Sequence, residues 1–122
     1  TDNVDSMQKT LQLSLDLCTM AWNGYPVMAL PGSELYKRAK ESGEKLPERY
    51  EEYSFHGYHT SPLPTKELEP DQILAFRDNA FTTYHNYPRF IEKVRNRFGE
   101  IAVNNIKDML TVTLSRKLVE EA

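Results

Sequence analysis

The sequence predicts an α+β fold, predominantly α-helical, with a helix–strand–helix unit ahead of a C-terminal unit of about three helices. Three observations predict it. Tyr25 to Leu30 is an apolar, proline-edged run of strand length, broken by the turn dipeptide Pro31-Gly32 before Ser33 opens a helix. Apolar residues recur at steps of three or four before that run and again after Leu68, which is the helical period. Between these regions, Glu44 to Pro64 holds no period at all. The boundaries divide the chain into 1–43, a connecting loop over 44–65, and a helical domain over 66–122.

The first helix is read over Asp2 to Leu17, where Val4, Met7, Leu11, Leu15 and Cys18 share a face and Asp2, Asn3 and Asp5 supply cap-type and acidic residues. Thr19 to Gly24 connects it to the strand. Ser33 caps the second helix, with Glu34 at the positive end of its dipole, and Gly43 supplies a left-handed stop. A strand feeding a turn and then a helix is the unit of a parallel sheet covered by helices. One strand cannot make such a sheet, so the unit reads as the last piece of something larger. The start at Thr1, directly in a helical pattern, fits a piece cut from a longer protein.

Glu44 to Pro64 carries Pro47, Pro62 and Pro64 together with Tyr50, Tyr53, Phe55, His56, Tyr58 and His59. So many rings are not left in water, and an irregular segment of this length is expected to be functional or packed on something. Pro70 suits the first position of the next helix, with Leu68 stapled on Ile73 and with Ile73, Phe76, Ala80, Tyr84 and Tyr87 on one face. Pro88 ends it and starts another, striped by Phe90, Ile91, Val94 and Phe98 and stopped by Gly99. A last helix is expected from Glu100 to about Glu120, with Val103, Ile106, Leu110, Leu114 and Leu118 on its face.

Composition narrows the function. A net charge of −3 does not suggest a nucleic-acid or membrane-surface binder. No apolar run approaches the ~20 residues of a bilayer span, and the polar N-terminal stretch does not read as a signal peptide. One cysteine, Cys18, excludes an internal disulfide and fits a reducing, cytoplasmic setting. It also excludes a cysteine-ligated cluster made by this chain alone.

Several groupings have both a chemical and a plain reading. His56 and His59, three apart, could share a metal with His85, but Gly57 argues against the helix that would aim them together. They read instead as loop histidines at a junction, or as acid–base groups facing a substrate. Cys18, on an apolar face with no basic neighbour in sequence, reads as inert core. Lys93, Arg95 and Arg97 read as a solvated helix side, and Arg116-Lys117 as complements to a helix dipole. Tyr84, His85, Tyr87 and Phe90 read as packing around the Pro88 break. Phosphate-loop, dinucleotide, nucleophile-elbow and zinc-protease motifs are absent from the sequence, so no complete catalytic apparatus is present.

The ordered set YPVMALPGSELY, YSFHGYHTSPLPT, ILAFRDNAF and NYPRFIEKVRNRFG resembles the C-terminal part of radical S-adenosylmethionine (radical SAM) enzymes, most closely the class that carries a cobalamin-binding domain. The resemblance runs from the first helix to about Leu118. Its P-G-[ST]-x-L-Y element is Pro31, Gly32, Ser33, Leu35 and Tyr36, with Ser33 where threonine is usual. The family's cluster-binding C-x3-C-x2-C motif and its glycine-rich SAM-binding strands are missing and would lie upstream of Thr1. The resemblance implies that this chain is a remnant of a partial (β/α) barrel, with Tyr25 to Leu30 as its last strand. The parent would use a [4Fe–4S] cluster and SAM and, in the cobalamin-domain class, cobalamin. This chain would hold none of them and would be inactive alone, with the upstream barrel as its partner. Tyr25, Val27 and Met28 would then lie on the adenosyl side, and His56, Tyr58 and His59 on the substrate side. The competing functions are a stand-alone helical interaction module and a small histidine metal-binding domain. The free edge of a lone strand is also open to pairing between copies.

Overall fold

The computed structural model describes residues 2–122, and every described element is helical. α1 spans Val4–Leu17, α2 Glu34–Glu41, α3 Pro70–His85, α4 Pro88–Phe98, α5 Glu100–Leu110 and α6 Lys117–Glu120, with one 3-10 turn at Tyr50–Tyr53. No described helix is long and apolar enough to cross a membrane.

The expected strand does not form, which corrects the α+β assignment to an all-helical fold among the described residues. Tyr25 to Leu30 is a connector without secondary structure, and a sheet needs a run of bonds to a neighbour. The segment has one such bond, from the Leu63 N–H to the Val27 carbonyl at 2.8 Å. Its neighbour reads Pro62-Leu63-Pro64, and the two prolines have no N–H to continue a ladder.

Helix starts follow the sequence signals. Asn3 caps α1 by accepting from the Ser6 N–H at 2.9 Å, and Ser6 Oγ returns the bond to the Asn3 N–H at 3.0 Å. Ser33 accepts from the Tyr36 N–H at 3.0 Å to cap α2. Pro70 and Pro88 each sit in the first turn of a helix, where a missing N–H costs nothing.

The last helix is shorter than expected. α5 ends at Leu110, and Thr111 to Arg116 runs as a non-helical tail into the short α6. The β-branched run Thr111-Val112-Thr113 is poor helix sequence, and the Thr111 hydroxyl turns back on the Asp108 carbonyl at 2.6 Å. The tail then delivers Arg116 to the half-buried carboxylate of Asp78 on α3.

α3 is the central helix, packed by α1, α4, α5 and α6. It is therefore buried on more than one face, at Ile73, Leu74, Arg77, Ala80, Tyr84 and His85. The core joins Cys18, Tyr84, Phe90, Val94 and Val103, with Leu15 and Trp22 against it, so α1 shares one core with the C-terminal helices. Each of its large apolar side chains contributes about 1.5–3 kcal/mol by leaving water. Trp22 stacks on Tyr84 at 6.1 Å, and the Tyr84 hydroxyl donates to the Met20 carbonyl.

α1 ends on Cys18, a non-glycine residue in the left-handed region at φ 42°. Two basic side chains of α4 hold that end. Arg89 donates to the Asp16 carbonyl at 2.7 Å, and Lys93 Nζ donates to the Cys18 carbonyl. Lys93 is thus a helix cap across the fold as well as part of a polar face.

Candidate functional site

Four separate stretches meet at Arg77. Its side chain leaves α3 and donates from Nε to the Gly24 carbonyl at 3.1 Å, from Nη2 to Asn23 Oδ1 at 2.7 Å and from Nη1 to Asp78 Oδ1 at 3.1 Å. Its guanidinium lies over the rings of Phe55 and Phe81, at 5.1 and 5.0 Å from their centres. Arg116 arrives from the tail as a bidentate partner of Asp78, at 2.9 and 3.0 Å, and also donates to the Phe55 and Gly57 carbonyls. One carboxylate and two guanidinium groups thereby tie the connector after α1, the aromatic loop, α3 and the C-terminal tail together.

The electrostatics follow from this geometry. Burial opposes ionisation of Asp78, but the hydrogen bonds from Arg116 and Arg77 outweigh it and hold its carboxyl below the usual aspartate range. Arg77 and Arg116 are only 7% and 3% exposed and Asp78 27%, so the guanidinium groups are buried while the carboxylate keeps partial contact with water. Beside the network lies a cleft of about 740 Å³, bordered by Arg77, Asp78 and Arg116 and by Phe81, Leu110 and Leu114.

His85 forms a second polar post. Its Nδ1 faces the Phe81 carbonyl at 2.8 Å, and its Nε2 faces the Trp22 N–H at 3.5 Å. A carbonyl on one nitrogen and an N–H on the other select the neutral ring protonated at Nδ1. Burial pushes its pKa below the ordinary value, helped by the charge of Arg77 and opposed by the bond to Phe81.

The residues singled out from sequence divide among three places. Tyr25 and Val27 are exposed and line a groove of about 490 Å³ together with Leu35, Leu63 and Phe76. Tyr25 also meets Phe55 edge-on at 5.1 Å. Met28, grouped with them in the sequence reading, turns to the opposite side, where its sulfur is 4.0 Å from the hydroxyl of the buried Thr60. Side chains alternate along extended backbone, which separates Met28 from Val27.

His56 borders the larger cleft, its ring 4.0 Å from that of Phe55. Tyr58 faces α6 instead, donating its hydroxyl to Glu120 Oε2 at 3.0 Å, while its carbonyl accepts from the Lys117 N–H at 3.0 Å. The bond to Glu120 raises the Tyr58 pKa. His59 is exposed against the Tyr58 ring. His56, His59 and His85 are not brought together, and no group of three His, Cys, Asp or Glu side chains among the described residues could hold a metal ion. The donor set does not fit an iron–sulfur cluster either, since the one thiol, Cys18, is buried in the hydrophobic core.

Sequence reasoning passed over Arg77, Asp78 and Arg116 as site residues. A signal was present: Ile73, Arg77, Ala80 and Tyr84 follow the helical step, so Arg77 lies inside the apolar stripe rather than beside it. Arg116 carried no such signal, because its burial depends on the tail folding back across residues far away in sequence.

No protein-family model, curated protein or solved structure matches the chain.

Proposed function

We infer that this chain is the C-terminal part of a radical SAM enzyme, where it shapes the substrate side and carries out no step of the reaction. The observation that carries the reading is the convergence at Arg77. Arg77 belongs to ILAFRDNAF; it bonds Asn23 and Gly24, immediately before YPVMALPGSELY, and it lies against Phe55 of YSFHGYHTSPLPT. Two of the four stretches that carry the family resemblance thus meet at Arg77, beside the start of a third, which supports their acting as a unit. The apolar groove beside it, with Tyr25 72% and Val27 58% exposed, supports a surface that the rest of the polypeptide covers. The [4Fe–4S] cluster, SAM and any cobalamin belong to that other part, and cytoplasmic location goes with such chemistry.

The test is the coding sequence upstream of Thr1 and the protein it specifies. A C-x3-C-x2-C motif is expected there. The longer protein, purified without oxygen, should contain iron and sulfide and should cleave SAM under reduction. An upstream sequence without the motif, or a longer protein that binds no iron, would overturn the reading. The same groove favours a second reading, a helical module whose exposed Tyr25, Val27 and Leu35 dock a partner protein. That reading gains if the upstream motif is missing.

A further inference from the structure

The larger cleft has a charge imbalance. Two guanidinium groups border it, and among the described residues Asp78 is the one acid bonded to them. A guanidinium has five N–H donors. Arg77 uses three of them, on Gly24, Asn23 and Asp78, and Arg116 uses four, on Asp78, Phe55 and Gly57. Every guanidinium nitrogen thus has a protein acceptor, but three of the N–H bonds do not, and Asp78 offsets only one of the two positive charges. Glu120, at the rim, is exposed to water and already accepts the Tyr58 hydroxyl. Its charge is largely screened.

The rest of the wall is mostly apolar, from Phe81 on α3 through Leu110 on α5 to Val112 and Leu114 of the tail and Val119 on α6, with the polar side chains of Asn23, His56, Thr82, Thr113 and Ser115 among them. The volume of about 740 Å³ is that of a small-molecule pocket. We propose that this cleft binds a molecule with a singly charged carboxylate head and an apolar body. One surplus positive charge matches a monoanion better than a dianionic phosphate. The planar guanidinium fork matches a carboxylate, and the apolar wall takes the chain or ring behind it. This goes beyond the proposed function, because binding requires only the present chain and none of the radical chemistry.

Decanoate is the probe, titrated into the isotope-labelled 122-residue chain and followed by amide NMR. Saturable binding is expected with a dissociation constant of about 1 mM or tighter, with shifts concentrated at Phe81, Leu110 and Val112 to Arg116. Decanol should bind at least about tenfold more weakly, having no charge to place. Decyl phosphate should bind no more tightly than decanoate. Glu120→Gln, which removes the rim charge and keeps an acceptor for Tyr58, should tighten decanoate severalfold and leave decanol unchanged. The assignment is overturned if decanoate does not saturate, if decanol binds equally well, if decyl phosphate binds more tightly, or if Glu120→Gln leaves decanoate affinity unaltered. The probe series needs no change to the buried network, so a folding defect cannot obscure the result. Loss of carboxylate binding would leave the radical SAM reading untouched, since that reading stands on the upstream sequence and on iron binding.

Discussion

Arg116 illustrates how much one side chain can carry in a small domain. It supplies both oxygens of Asp78 with a donor and satisfies the Phe55 and Gly57 carbonyls of a loop about 60 residues away in sequence. Arg116→Ala strands the Phe55 carbonyl and Asp78 Oδ2, while Asp78 Oδ1 keeps its bond from Arg77 and the Gly57 carbonyl its bond from the Thr60 N–H. The expected cost is about 1.5–3 kcal/mol, the range for losing charged hydrogen bonds, since Asp78 is 27% exposed and keeps Arg77. Arg116→Lys keeps the charge and loses the fork, and should cost about 1–2 kcal/mol. Urea denaturation of the two variants checks the order, and a loss below about 1 kcal/mol for Arg116→Ala would mean that the tail is not held by this contact. The sequence hid the role because arginine near a C-terminus is ordinarily a solvated end group. Arg77 was more legible, since its spacing within the α3 stripe announced burial of a kind that only a paired arginine tolerates.

At the scale of elements, the helices whose punctuation is local were the ones readable from sequence. Asn3, Ser33, Pro70, Pro88 and Gly99 each act within one turn of their own position, and each marks a boundary that forms. Gly99 is the sharpest case: at φ 84° and ψ −178° it occupies a region essentially closed to residues with a Cβ, and it joins α4 directly to α5. Nothing lies within 4 Å of an added Cβ there, so Gly99→Ala pays in backbone strain alone, about 1–3 kcal/mol. A D-alanine placed there by semisynthesis should be tolerated, because its mirror-image preference matches this backbone. Equal thermal stability of the L- and D-alanine proteins would refute the strain argument. Tyr25 to Leu30 failed as a strand for a non-local reason. Its apolar, proline-edged pattern was correctly seen, but a strand is defined by its neighbour, and the neighbour it meets is interrupted by Pro62 and Pro64. The α5 overrun has a related cause: Leu114 and Leu118 kept the helical step, while the β-branched run before them and the pull of Asp78 on Arg116 decided the chain's path.

Across the whole molecule, the connector after α1, the aromatic loop and the tail have little regular structure, so their positions depend on a few polar posts on α3. Two of those posts titrate, and both make the fold acid-sensitive. The folded-state pKa of His85 lies below its ordinary 6.5, so the unfolded chain binds its proton first as pH falls. His85 therefore contributes its full stabilisation above about pH 6.5 and loses it progressively on acidification through that value toward its depressed folded pKa. The geometry explains the sign: a proton on Nε2 would set a donor against the Trp22 N–H, in a site already walled by Phe81, Phe90 and the charge of Arg77. Asp78 has the same sign in a lower window, because its folded pKa is also depressed, and its contribution fades only below about pH 4. Stability should accordingly be level from about pH 8 to 7, fall below about 6.5 through His85, and fall again in the Asp78 range. His85→Gln can keep both hydrogen bonds without titrating, so it should flatten the first fall and leave the second. Urea midpoints at intervals of half a pH unit measure this. A His85→Gln protein that loses stability just below pH 6.5 as steeply as the parent would show that the connector is not held through His85.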